Sequence, residues 1–118
     1  MLPAARRLRR SDDFVLTIRS GARAGRPTLV VHCRVAAGNG HRVGFVVAKT
    51  VGGAVVRNRV RRRLRGVVVE QSDTLPDGVD LVVRALPASA DATYDQLSAD
   101  FRSAVASASR RAVERAGR

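Results

Sequence analysis

Apolar and polar residues recur along this chain with two different periods, and the switches between them mark out its elements. Phe14 and Ile18 lie one helical turn apart behind Ser11, Asp12 and Asp13, and Gly21 follows. That spacing predicts a short helix over about 11–20 with Ser11 as its N-cap. A short strand is expected near Ala22 to Gly25. Leu29 to Val35 and Arg42 to Ala48 are apolar, β-branched runs joined through Gly38-Asn39-Gly40, a hairpin signal that predicts antiparallel neighbours. Gly52-Gly53 opens a helix over about 54–70, Pro76-Asp77-Gly78 makes a turn, Val79 to Ala85 forms a strand and Pro87 to Ala92 a loop. Thr93 and Gln96 have the spacing of a capping box, and Tyr94, Leu97, Phe101 and Val105 line one face of a last helix reaching about residue 110. The expected order is αβββαβα in one α+β domain spanning 1–118, with about 1–6 and 111–118 frayed.

The second of these helical segments carries the chain's most unusual pattern. Arg57 to Arg65 holds six arginines in nine residues, interrupted by Asn58 and by Val60 and Leu64 four apart. At 100° per residue, Val56, Val60, Leu64 and Val67 fall within about 80° of one another, while Asn58, Arg61, Arg62 and Arg65 fall on the opposite side. One side is core and the other is guanidinium. Guanidinium is always charged and its planar fork matches phosphate oxygens in pairs, so a packed helix presenting several is a preformed receptor for a polyanion. A merely solvated face would mix signs, and here no acid appears until Glu70.

Composition sharpens this reading. Lys and Arg number 22 against 10 acids, a net charge of +12 and a pI near 11.8, above the value of about 9 expected of a nucleic-acid-binding domain. The field is uneven, since residues 1–65 hold 16 Lys and Arg against Asp12 and Asp13 alone, whereas residues 66–118 hold six arginines and eight acids. Cys33 is the single cysteine, so an internal disulfide is excluded and a zinc site of ordinary spacing is not expected. Arg6-Arg7 and Arg9-Arg10 run into Ser11-Asp12-Asp13 without an apolar stretch, so neither export nor membrane insertion is expected and a cytoplasmic setting is.

Few residues suit catalysis. A protein nuclease acting through the RNA 2′-OH needs two proton carriers and a cation, and only His32, His41 and Lys49 resemble such a set. His41 beside the Asn39-Gly40 turn and His32 on a strand read instead as surface or edge residues. Asp73, Asp77 and Asp80 scatter around a turn without two-metal clustering, and Gly52-Gly53 lacks the following Gly-Lys-Ser/Thr of a phosphate loop.

From Arg42 to Arg65 the sequence resembles the signature of the bacterial ribonuclease P protein subunit, in which a strand ending in Lys leads through a Gly turn and Ala-Val into an Arg-Asn-Arg helix. Weaker likeness extends from Arg7-Leu8 to the last helix. The resemblance implies an α-β sandwich with a split, left-handed βαβ crossover, and a non-catalytic subunit of the ribonucleoprotein that removes the 5′ leader from precursor tRNA. It assigns Lys49, Arg57, Asn58, Arg59, Arg61, Arg62 and Arg65 to the catalytic RNA subunit. It assigns Phe14, Ile18, Val31, His32, Arg34 and Arg84 to a cleft for the single-stranded leader. Ile18 and Val31 stand where aromatics are common in the family, and Thr50 and Gly53 replace a lysine and an asparagine, which implies a cleft that stacks less and relies more on shape and charge. Mg²⁺ is expected to be bound mainly by the partner RNA, with Asn58 the one candidate for a protein contact to an ion, and no small-molecule cofactor is expected. The competing reading is a ribosomal or chaperone-type RNA-binding protein, which would share the charge without needing a leader cleft.

Overall fold

A computed structural model describes residues 2–117. Seven regular elements follow the expected order: α1 (Ser11–Ser20), β1 (Ala22–Gly25), β2 (Leu29–Val35), β3 (His41–Val46), α2 (Ala54–Gln71), β4 (Val79–Ala85) and α3 (Tyr94–Ala116). The N-cap of α1 is Arg10, with no side-chain cap, and Ser11 is already helical; Asp12 and Asp13 in the first turn favour the positive helix end instead. Gly21 ends α1 because of close approach, since a Cβ there would lie 2.7 Å from the Cys33 carbonyl oxygen. The capping box of α3 forms on both sides, Gln96 N–H donating to Thr93 Oγ1 at 3.1 Å and Thr93 N–H to Gln96 Oε1 at 2.8 Å.

The expected hairpin does not form. Sheet order is β1-β2-β4-β3, so β4 lies between the two runs read as neighbours: β2 pairs with it antiparallel and β3 parallel. The reason lies in β4 itself, where Val79 to Val83 is buried on both faces, and a strand buried on both sides is stable only inside a sheet. The turn before β4 wedges the linker open, with Ala36 N–H donating to the Gly78 carbonyl at 2.8 Å and Gly78 N–H to the Gly40 carbonyl at 2.6 Å. Gly78, at φ 71°, permits this turn. The β3-α2-β4 crossover therefore joins adjacent parallel strands, and no strand splits it.

Helices α2 and α3 cover one face of the sheet and α1 the other. Leu29, Val31 and Cys33 of β2, Val43 of β3, and Val79, Leu81 and Val83 of β4 form one buried cluster with Val60, Leu64 and Val67 of α2 and Leu97, Phe101 and Ala104 of α3. Among the described residues, 2–8 and 111–116 are tied to the fold where fraying is expected. Leu2 and Leu8 are buried, and Leu8 N–H donates to the Val43 carbonyl at 3.0 Å along the open edge of β3. Helix α3 continues past residue 110 to Ala116, where Arg111 and Arg115 donate to the Arg23 and Gly21 carbonyls at 2.7 and 3.0 Å and so cover the outer edge of β1. Met1 and Arg118 lie outside the described residues.

Candidate RNA-binding surfaces

The apolar stripe of α2 is buried as its spacing predicts, with Val60, Leu64 and Val67 nearly inaccessible and Val56 half-buried against them. That anchoring turns Asn58, Arg62 and Arg65 outward, with Arg57 and Arg61 half-exposed beside them. Lys49 is exposed in the turn that precedes the helix. Arg59 differs from its neighbours: its Nη2 donates to the Ala90 carbonyl at 3.1 Å, as Arg63 Nη1 does to that of Ala92. These two flank the apolar stripe and tie the helix to the turn at Pro87–Ala90. Among the described residues, no arginine of α2 forms an ion pair; the ion pairs belong to Arg34 and Arg42. Asn58 Oδ1 accepts from Arg61 Nη1 at 3.1 Å and stands in a field of guanidinium groups.

The second surface is the face of the sheet beneath α1. Cross-strand partners share a face, so His32, Val82 and Gly44, opposite one another in register, lie on the α1 side together with Arg23, Arg34, Asp80, Arg42 and Arg84. Phe14 sits directly over Gly44, where any Cβ would overlap its ring. Ile18 is exposed on the same helix.

Val31 does not line this cleft. Strand alternation turns it toward α3, where it is fully buried in the core, so position 31 offers nothing to a ligand on the α1 side. His32 occupies the cleft position instead. It is neither a surface nor an edge residue, being only 3% exposed on an interior strand, and neither ring nitrogen has a hydrogen-bond partner. Burial, reinforced by the Arg84 and Arg23 charges, holds its pKa below the ordinary 6.5, so the ring is neutral at physiological pH.

Arg34 is partly committed elsewhere. Its Nη2 lies 2.9 Å from Asp80 Oδ2, and Arg42 Nη2 reaches the same oxygen at 2.8 Å while its Nη1 lies 3.5 Å from Asp13. Asp80 is therefore no turn residue but a buried β4 carboxylate that ties β4 to β2 and β3, while Arg42 reaches on to α1 through Asp13. Arg23 was not singled out from the sequence, although its place between buried Ala22 and Ala24 marks it as facing the other way. His41 is also buried, and burial followed by the Arg6 charge lowers its pKa. It pairs in register with Val79 on the helix side of the sheet, so His32 and His41 stand on opposite faces and cannot act on one phosphate. The arrangement suits binding of a polyanion and offers no paired acid and base.

The family model described as Ribonuclease P matches residues 2–109. The chain is 55% identical over 111 residues to the ribonuclease P protein component of Kocuria rhizophila, covering 94% of this chain and 98% of that one, and 51% identical over 114 residues to that of Streptomyces bikiniensis, covering 89% and 93%. Among solved structures, a Staphylococcus aureus RNase P protein mutant with defective mRNA degradation activity shares the fold with a TM-score of 0.80 at 24% identity, covering 89% of each chain. The RNase P protein from Thermotoga maritima in complex with 1-(4-fluorophenyl)-2-thiourea gives 0.76 at 25% identity, covering 82% of this chain and 94% of that one. With an arginine helix packed on a βαβ crossover and relatives matched over nearly their whole length, the chain belongs to the ribonuclease P protein family.

Proposed function

We propose that this protein is the RNA-binding, non-catalytic subunit of ribonuclease P, acting in the cytoplasm on the 5′ leader of precursor tRNA. The observation that carries the reading is the ion-pair-free arginine face of α2, held rigid by its buried stripe, beside a second basic cleft on the opposite side of the sheet. Arg57, Asn58, Arg61, Arg62 and Arg65, with Lys49 before them and Arg59 at the flank, engage the catalytic RNA. The α1 cleft of Phe14, Ile18, His32 and Arg84, with Arg23 and part of Arg34, holds the unpaired leader. The Phe14 ring offers a stacking face, and the arginines track phosphates without reading sequence. Cleavage itself rests on Mg²⁺ held by the RNA, and the protein raises discrimination between precursor and mature tRNA.

Binding to precursor and to mature tRNA, measured with the assembled ribonucleoprotein, tests the cleft. Phe14→Ala is expected to reduce the preference for precursor about tenfold, the effect of losing one stacked base, while affinity for the catalytic RNA stays unchanged. An unchanged preference would transfer the reading to a ribosomal or chaperone-type RNA binder.

A further inference from the structure

Gly38-Asn39-Gly40 carries a hairpin signal, yet it forms no hairpin and belongs to neither basic surface. It lies in the largely exposed linker between β2 and β3. An asparagine before a glycine is chemically labile, because the backbone nitrogen of the next residue can attack the side-chain carbonyl carbon and glycine puts no Cβ in the way. At Asn39 that attack is open. The Asn39 side chain is exposed. The Gly40 carbonyl accepts from Gly78 N–H at 2.6 Å, but Gly40 N–H donates to no backbone carbonyl among the described residues. Gly38 and Gly40 take φ of 113° and 78°, and Gly38 has open space around it, so the main chain on both sides of Asn39 can turn as ring closure requires. The facing turn supplies a contrast. Asp77-Gly78 also places an acid-type side chain before glycine, but there the attacking nitrogen is held in the bond to Gly40. The chain's other asparagine, Asn58, precedes Arg59 inside α2.

Arg6 adds an electrostatic push. Its guanidinium lies against the Gly40 Cα, where any Cβ would overlap it, and among the described residues it forms no ion pair. A cation beside the attacking nitrogen lowers the cost of deprotonating it and of the negative charge that builds on the carbonyl oxygen. We propose that Asn39 is a site of spontaneous deamidation, promoted by Arg6. The Gly40 nitrogen gives up its proton and bonds to Asn39 Cγ, the side-chain nitrogen leaves with that proton as ammonia, and a five-membered succinimide remains. Water opens the ring at either carbonyl, giving aspartate, or isoaspartate with one extra methylene in the main chain. The product has a consequence for the fold. Asn39 shares a cavity of about 90 Å³ with Arg42 and Asp80, and Arg42 holds Asp80 at 2.8 and 2.9 Å and Asp13 of α1 at 3.5 Å. A carboxylate at position 39 competes for Arg42 and loosens the tie between the sheet and α1.

The test is incubation of the full chain at 37 °C and pH 7.5, sampled by electron-transfer fragmentation of the intact protein, which reports each asparagine separately and distinguishes isoaspartate from aspartate. Asn39 is expected to convert at least about tenfold faster than Asn58, a difference of about 1.4 kcal/mol in barrier, with both products present and Asp77 unchanged. Arg6→Gln should slow the conversion about threefold, the effect of one partly exposed charge. Conversion of Asn39 no faster than that of Asn58, isomerisation at Asp77 as fast as at Asn39, or an unchanged rate in Arg6→Gln would overturn the proposal. The consequence is read from Asn39→Asp by heteronuclear NMR. Shifted amide signals at Asp80 and Asp13 are expected, and unmoved signals at both would contradict the competition for Arg42.

Discussion

Gly44 and Phe14 show how one small residue shapes the cleft. A methyl group at Gly44 meets the Phe14 ring, so Gly44→Ala should lift α1 and cost about 1–3 kcal/mol, the usual penalty of overpacking. Urea denaturation measures the cost, and an unchanged midpoint would mean that the ring simply turns aside. His32 carries a pH signature. Its pKa is lowered in the folded protein, so below about pH 6.5 the unfolded chain takes up the proton first, and stability falls as pH drops through that value. His41 contributes with the same sign. Comparing unfolding at pH 7.5 and 5.5, His32→Leu should show a smaller acid loss than the native chain; an equal loss would place the titration elsewhere. At this scale the sequence was legible in type more than in direction. The β2 strand was readable, yet its phase was not, because Val30 to Cys33 is buried on both faces, so the alternation of His32 and Arg34 with Val31 and Cys33 is not one between solvent and core.

Among the elements, α2 was the most legible, since an apolar stripe four residues apart inside an arginine run admits one orientation. What the wheel did not separate is the division of labour among arginines, which depends on where the Pro87–Ala90 turn lies in space. Replacing Arg57, Arg61 and Arg65 with Ala should weaken catalytic-RNA binding at least about tenfold and reduce its salt slope by about three, one per lost phosphate contact, with the fold intact. Arg59→Ala with Arg63→Ala should instead lower stability by about 1–2 kcal/mol, the loss of two hydrogen bonds to the turn. Circular dichroism melts beside RNA-binding isotherms distinguish the two sets, and unfolding of the triple variant would contradict the assignment. The β2-β3 pairing was misread because a local Gly-Asn-Gly signal competes with the demand of β4 for a central place, and the latter prevails through long-range burial.

Across the whole molecule, the excess of cations in residues 1–65 becomes two basic faces on opposite sides of the sheet, while two acids of the second half serve as ties. Asp80 clamps β2 and β3, and Asp100 Oδ2 accepts from Thr28 N–H at 3.1 Å and Thr28 Oγ1 at 2.6 Å. Net charge pointed to a polyanion partner without indicating how many surfaces would meet it, since that number follows from the crossover and from the covering of the β3 edge by residues 2–8. The most direct test of the account is 5′-leader cleavage of a precursor tRNA at low Mg²⁺, comparing the protein alone, the cognate catalytic RNA alone, and the two together. Cleavage that is strong only in the mixture is the predicted result; cleavage by the protein alone, or no stimulation of the RNA, would contradict it.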